Sequence, residues 1–175
     1  TTGAAEYLEF MKASPHHLKA AHQNNVMTWQ HVGALGTISL AVVPNPLPSD
    51  EVTRARAAIR EAADAFVGME EKQAYRVPLT RDEKGGYSWG SNSDVINNLL
   101  IMALAHDFTK DAKYLRAIVI GMDYLFGRNP LDRSYVTGYG FRPTQYPHHR
   151  FWSEQYNGHY PPPPPGVLAG GPNSG

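Results

Sequence analysis

Residues Asp94-Val-Ile-Asn-Asn-Leu-Leu-Ile-Met-Ala-Leu-Ala-His-Asp107 are the stretch that decides the architecture. Its centre, Leu99 to Leu104, is apolar on every side of a helical wheel, so a helix here is expected to be buried all round. Ser93 or Asn92 is placed to cap its start. A helix with no wet face needs neighbours on several sides, and the flanking sequence supplies them. Before it, Ser49-Asp50 offers an N-cap for a long helix whose stripe is Val52, Ala55, Ile59, Ala62, Phe66 and Val67. Arg54, Arg56, Arg60, Glu61 and Asp64 fall on that helix's opposite, wet face. After it, Thr109 and Lys110 open a helix with Tyr114, Leu115, Ile118, Val119, Met122, Leu125 and Phe126 as its stripe, and Gly127 is set as its C-terminal cap.

Two shorter helices precede these. Ala4, Tyr7, Leu8 and Met11 recur at helical spacing over residues 3–13, and Ser14-Pro15 ends the run. Trp29, Val32, Leu35, Gly36, Ser39 and Leu40 suggest a second, closed by Pro44-Asn45-Pro46. No alternating strand pattern of useful length is present. Between the helices lie two long irregular regions. One runs from about Tyr75 to Asn92; the other is everything after Gly127, with Pro161 to Pro165 expected as a rigid polyproline spacer. Loops of that length are uncommon in a compact domain unless they are functional. Helices joined by short connections on one side and long aromatic loops on the other suggest a toroid of helical hairpins.

Composition narrows the partners. Sixteen lysines and arginines balance sixteen aspartates and glutamates, so no net field favours nucleic acid or an anionic membrane. The longest apolar run, Leu99 to Ala105, is far below the ~20 residues that span a bilayer. The chain has no cysteine, which excludes disulfides and thiolate metal sites. His16-His17 and His148-His149 are adjacent pairs that cannot share a helix face, so a zinc site has little support.

The densest chemistry sits in Ser134-Tyr-Val-Thr-Gly-Tyr-Gly-Phe-Arg-Pro-Thr-Gln-Tyr-Pro-His-His-Arg150. Hydrogen-bond donors, aromatic faces, glycines and prolines crowd one segment that cannot be a helix, as expected of a loop that grips a ligand. Pro147 favours an extended backbone, in which His148 and Arg150, two apart, face the same way. Tyr139, Arg142 and Tyr146 are further groove candidates. Gly138 and Gly140 suit unusual dihedrals or close ligand approach. Trp89, in Tyr87-Ser-Trp-Gly-Ser-Asn-Ser93, stands on a glycine-flanked loop directly before a helix and is placed to stack on a flat ligand. Trp29, expected to open the second helix, is another candidate platform, with Trp152 and Tyr156 behind it. For each of these aromatics the competing reading is core packing. Asn129-Pro130 is a turn former, and Asp132 is expected to brace Arg128 or Arg133.

Ser134, Val136, Thr137, Gly140, Arg142, Pro147, His148 and Arg150 fall where glycoside hydrolase family 9, the cellulase family E, has its histidine-centred motif. Trp89-Gly-Ser and Gly127-Arg-Asn-Pro-Leu-Asp-Arg-Ser134 also resemble that family, and the likeness covers most of the chain from Trp29 on. The resemblance implies an all-α fold, part of an (α/α)6 toroid of the six-hairpin glycosidase type with long active-site loops. Five helices cannot close such a ring. The whole of residues 1–175 is therefore expected to be part of a catalytic domain, helical over 3–127 and forming active-site loops over 128–175, with the remainder of that domain as its partner.

The resemblance implies an endo-β-1,4-glucanase (cellulase) acting with inversion on cellulose or cello-oligosaccharides, and secretion. His148 and Arg150 would be its catalytic-subsite residues, hydrogen-bonding the sugar at the bond to be cut. Trp89, Trp29, Tyr139, Arg142 and Tyr146 would bind substrate. An inverting glycosidase also needs an acid and a base roughly 6.5–9.5 Å apart. Neither the Asp-Ala-Gly-Asp type segment nor the Asn-Glu-Val type segment that carries them in the family occurs here, and neither Asp82-Glu83 nor Glu154 fits their places. No cofactor is required on this reading; at most a loop calcium is expected, with no ligands assigned. Three rival readings stand beside it: a carbohydrate-binding module without catalysis, which would be a β-sandwich; a helical scaffold; and a related glycosidase acting on amino sugars or mixed-linkage glucans.

Overall fold

The computed structural model of the chain describes residues 5–19, 27–81 and 84–173. Five helices follow in order: α1 Ala5–Ala13, α2 Gly33–Val42, α3 Ser49–Glu71, α4 Ser91–Thr109 and α5 Ala112–Leu125. Among the described residues there is no strand beyond an isolated antiparallel bridge between Val136 and Leu168. That removes the β-sandwich binding module. Ala4, and with it the start of the α1 stripe, lies outside the described residues, as do Asp82 and Glu83.

Helix α4 is the centre of the packing, with α3 on one side and α5 on the other, while α2 packs on α3. The α3 stripe is as the spacing predicts: Ala55, Ile59, Ala62 and Phe66 are buried, each large side chain contributing about 1.5–3 kcal/mol by leaving water. The five polar residues assigned to its wet face are exposed. Two carboxylates nevertheless join the buried face. Glu51 accepts hydrogen bonds from Arg54 and pairs with His17 at 3.2 Å, and Glu70 accepts from Arg76. Burial holds the Glu70 pKa above the ordinary carboxylate range despite that guanidinium.

The α4 centre is not enclosed on every side. Leu99, Ile101 and Met102 are buried, but Leu100 is 46% exposed, because it lies on the face that borders an open cleft rather than α3 or α5. On α5, Leu115 and Val119 are likewise exposed. Its buried line is instead Tyr114, Ala117, Gly121, Tyr124 and Leu125. Gly121 explains the shift: a Cβ there would lie 2.6 Å from Leu99 Cδ2, so the two helices approach at the glycine.

The helix ends also move by a few positions from expectation. Pro48, not Ser49 or Asp50, is the residue before α3. Gly90, in a left-handed conformation, precedes α4, so Asn92 and Ser93 lie within the helix. Lys110 is the left-handed C-cap of α4, and Asp111 caps α5 by accepting from the Lys113 amide at 2.9 Å. At the end of α5, Gly127 closes the helix as expected but at φ 135° rather than in the αL conformation. The Gly127 amide donates to Tyr124 O and the Arg128 amide to Asp123 O, the Schellman pair.

Candidate sugar-binding cleft and motif loop

The motif loop is fixed to the helical layer directly, by the Tyr135 and Phe141 amides donating to the Leu125 and Phe126 carbonyls, and through a second segment. Residues 166–172 run between them: Gly166 and Ala169 amides donate to the Thr137 and Tyr135 carbonyls, and the Thr137 amide donates back to Val167 O. On its other side the same segment accepts from α4. The Asn92 side chain donates to Ala169 O at 3.0 Å, and the Ser91 hydroxyl to Pro172 O at 2.7 Å. Thr137 closes the arrangement by donating its hydroxyl to Pro164 O at 2.6 Å and accepting from the Val167 amide at 2.9 Å. Asn129 and Arg128 hold the start of the loop. Asn129 Nδ2 donates to the Tyr124 and Arg133 carbonyls, and Arg128 donates to Ile120 O and Tyr75 O. This segment is structural, as its composition suggests.

An open cleft of about 550 Å³ lies at the N-terminal end of α4, and Trp29 and Trp89 both line it. The two indoles are 85% and 76% exposed in this chain. Trp29 does not open α2, which starts four residues later; it sits in a bent segment held to α4 by Asn97, whose amide donates to Met27 O at 2.7 Å. Trp89 projects from a turn made possible by Gly90 at φ 81° and closed by the Ser93 hydroxyl on Gly90 O. Polar groups share the cleft wall: Gln30, Asn97 and the buried carboxylate of Asp94. The Ser88 hydroxyl donates to Asp94 Oδ2 at 3.0 Å, yet burial pushes the Asp94 pKa up. Flat apolar faces with polar groups at their edge form a surface matched to a pyranose ring.

A second groove of about 390 Å³ runs beside the motif loop, lined by Thr137, Gly138, Tyr146, Glu154 and the prolines Pro162, Pro163 and Pro165. Of the groove candidates, Tyr146 lines it. Tyr139 is exposed and lies next to Gly166. Arg142 stands 4.0 Å from Asp132. The ion pair of Asp132 is thus with Arg142 rather than with Arg128 or Arg133, at the limit of contact and between largely exposed side chains.

His148 and Arg150 are both exposed, with Pro147 buried beneath them. They do not lie on a straight extended run, since the chain bends at each. His149 is the reason: its Nδ1 accepts from the Phe151 and Trp152 amides and its ring stacks on Trp152, centroids 4.2 Å apart. Neither His148 nor Arg150 lines the Trp29–Trp89 cleft. Trp152 is half-buried by its stack, and Tyr156 is exposed. Sequence reasoning missed Asp94 and Asn97. Their proximity to the Trp89 turn was the available signal, but an aspartate in a first helical turn also has a routine explanation in the helix dipole.

A family model described as Glycosyl hydrolase family 9 matches residues 1–175. The chain belongs to glycosyl hydrolase family 9. It is 47% identical to a cellulose 1,4-beta-cellobiosidase of Acetivibrio thermocellus over 99% of this chain and 21% of that protein. It is 39% identical to Endoglucanase C of Cellulomonas fimi, again over 99% of this chain but 16% of the relative. Among solved structures it resembles a metagenome-derived family 9 endoglucanase with TM-score 0.79 and 31% identity, covering 99% of this chain and 30% of that one. The chain thus spans about a fifth of the curated relatives it matches. Its five helices are part of the (α/α)6 barrel of this family.

Proposed function

We propose that the protein carrying this chain is an inverting β-1,4-glucanase of the cellulase type, and that this chain supplies sugar-binding residues rather than the acid and base. The observation that carries the reading is the placement of two solvent-exposed tryptophans in one cleft beside buried polar groups. A glucan chain offers apolar ring faces at regular intervals, which two indoles in one cleft can stack upon. Two relatives over nearly the whole chain bear the names cellobiosidase and endoglucanase.

On this reading Trp29 and Trp89 stack neighbouring sugar units, while His148 and Arg150 donate hydrogen bonds to the unit at the scissile bond. Tyr139, Tyr146 and Arg142 border the path along the motif loop. The rest of the family's catalytic domain is the partner that brings the acid and base to these residues. An insoluble polymer cannot enter a cell, so the reading also places the enzyme outside it.

The test uses the protein expressed from its complete reading frame. Hydrolysis of cellohexaose followed by NMR should release the inverted anomer. His148→Ala and Arg150→Ala should lower kcat/KM by about 10–100-fold each, the loss of hydrogen bonds to or from a charged or polar sugar contact. Trp89→Ala should weaken cellohexaose binding at equilibrium. Absence of both hydrolysis and binding would remove the glucanase reading, and export is checked by assaying culture supernatant.

A further inference from the structure

Arg150 is exposed, and among the described residues its guanidinium makes neither a hydrogen bond nor an ion pair. With no partner to aim that side chain, the backbone around it sets where it points. That backbone is anchored at two buried residues, Pro147 and Ser153. Between them the bend is built by His149, whose Nδ1 accepts from the Phe151 amide at 3.0 Å and from the Trp152 amide at 3.2 Å. An asparagine or aspartate side chain turns the chain after it by the same pattern of bonds. Both bonds need the Nδ1 lone pair, so the ring carries its proton on Nε2. The imidazole also stacks on the half-buried Trp152, with 21° between the planes. The Ser153 hydroxyl then donates to the Arg150 carbonyl at 3.3 Å. Arg150 therefore sits inside one turn whose first acceptor is an imidazole, and that imidazole lies outside the residues matching the family's motif.

We infer that His149 is a positioning residue: by accepting the Phe151 and Trp152 amides it holds the turn that aims Arg150 at the sugar. The inference rests on the role proposed for Arg150 at the bond to be cut. A hydrogen bond that acts in the transition state depends on placement, and a shift of about 1 Å costs on the order of 100-fold in rate. A His149 that only packed on Trp152 would need its ring and not its acceptor, so the two contributions are separable.

The experiment measures kcat and KM on cellohexaose for the protein expressed from its complete reading frame. His149→Phe keeps a ring for Trp152 and removes the acceptor. His149→Asn removes the ring and keeps an acceptor, its Oδ1, close to the place of Nδ1. His149→Phe is expected to lower kcat/KM about tenfold or more, mostly in kcat, with the helical circular dichroism signal retained. His149→Asn should recover most of that loss. In the Arg150→Ala background, His149→Phe should cost less than about twofold, because the turn then has no guanidinium to aim. Should His149→Phe fail to fold, His149→Ala replaces it with the same expectations. Parental turnover in His149→Phe overturns the inference, as does a His149→Asn as slow as His149→Phe. So does a loss of full size in the Arg150→Ala background, which general damage to the loop would give. Parental kcat/KM in Arg150→Ala alone is a different failure: it removes the role proposed for Arg150, and the inference falls with it.

Discussion

The Asn97 carboxamide donates to the Met27 carbonyl at 2.7 Å, joining α4 to a segment 70 positions earlier in the chain. This bond is what carries Trp29 to the same cleft as Trp89. Trp29 is not in a helix but in a short turn closed between Thr28 and His31, and Asn97, embedded in α4, ties that turn to the core. Asn97→Ala leaves the buried Met27 carbonyl without its donor, a loss of about 1–3 kcal/mol. Chemical denaturation should show it, and cellohexaose affinity should fall several-fold because one platform is no longer held.

Thr137 ties the motif loop to the proline-rich segment through a bond given to Pro164 O and one accepted from the Val167 amide. Thr137→Val keeps the shape and removes both. Stability should fall by about 1–3 kcal/mol, and hydrogen exchange of the Val167 amide should speed up. Thr137→Ser keeps the hydroxyl and is expected to restore most of the protection.

Gly140 and Gly36 should respond oppositely to the same change. At Gly140, φ is +77° and an added Cβ would lie 2.6 Å from Phe126 O and 2.8 Å from Ser134 Cβ. Gly140→Ala combines left-handed strain with a backbone clash, and a loss of at least about 2 kcal/mol is expected. Gly36 is inside α2 with nothing within 4 Å of an added Cβ. Gly36→Ala should stabilise by about 0.5–1 kcal/mol through helix propensity. Paired denaturation curves check both, and a neutral Gly140→Ala would remove the claim that the motif glycine is structurally required.

Asp94 makes stability depend on pH in a defined direction. Its folded pKa is raised above the ordinary 3.8 by burial. The folded state therefore keeps a proton that the unfolded state releases, so this group's contribution is best below the unfolded value and declines as pH rises through the raised one. Asp94→Asn cannot ionise. The Tm of Asp94→Asn minus that of the parent should become more positive between about pH 3.5 and about pH 7. A difference that is flat, or that grows in the other sense, would mean the carboxylate is not desolvated in the folded protein.

The long α3 stripe, the apolar core of α4 and the Schellman end of α5 were legible because helix periodicity is a local property and each signal lies within a few turns. The cap positions were not. A serine or asparagine near a helix start satisfies the same backbone donors from either of two neighbouring places, and at α4 the left-handed turn at Gly90 decided between them. The motif around His148 and Arg150 was visible as a pattern of residue types, but its bends depend on where His149 points.

The sequence alone determined that the chain is helical, which faces of α3 are wet and which family it resembles, since all three are encoded in spacing along one strand of covalent chain. Only the tertiary structure decided that Trp29 and Trp89 share a cleft, that Leu100 borders it, and that Asp94 is buried in its wall. Those facts depend on which elements meet at a distance along the chain, where Asn97 reaches Met27 and Gly121 admits Leu99. Contacts between distant residues are chosen by close packing and by satisfying buried donors, and neither leaves a periodic trace in the order of residues.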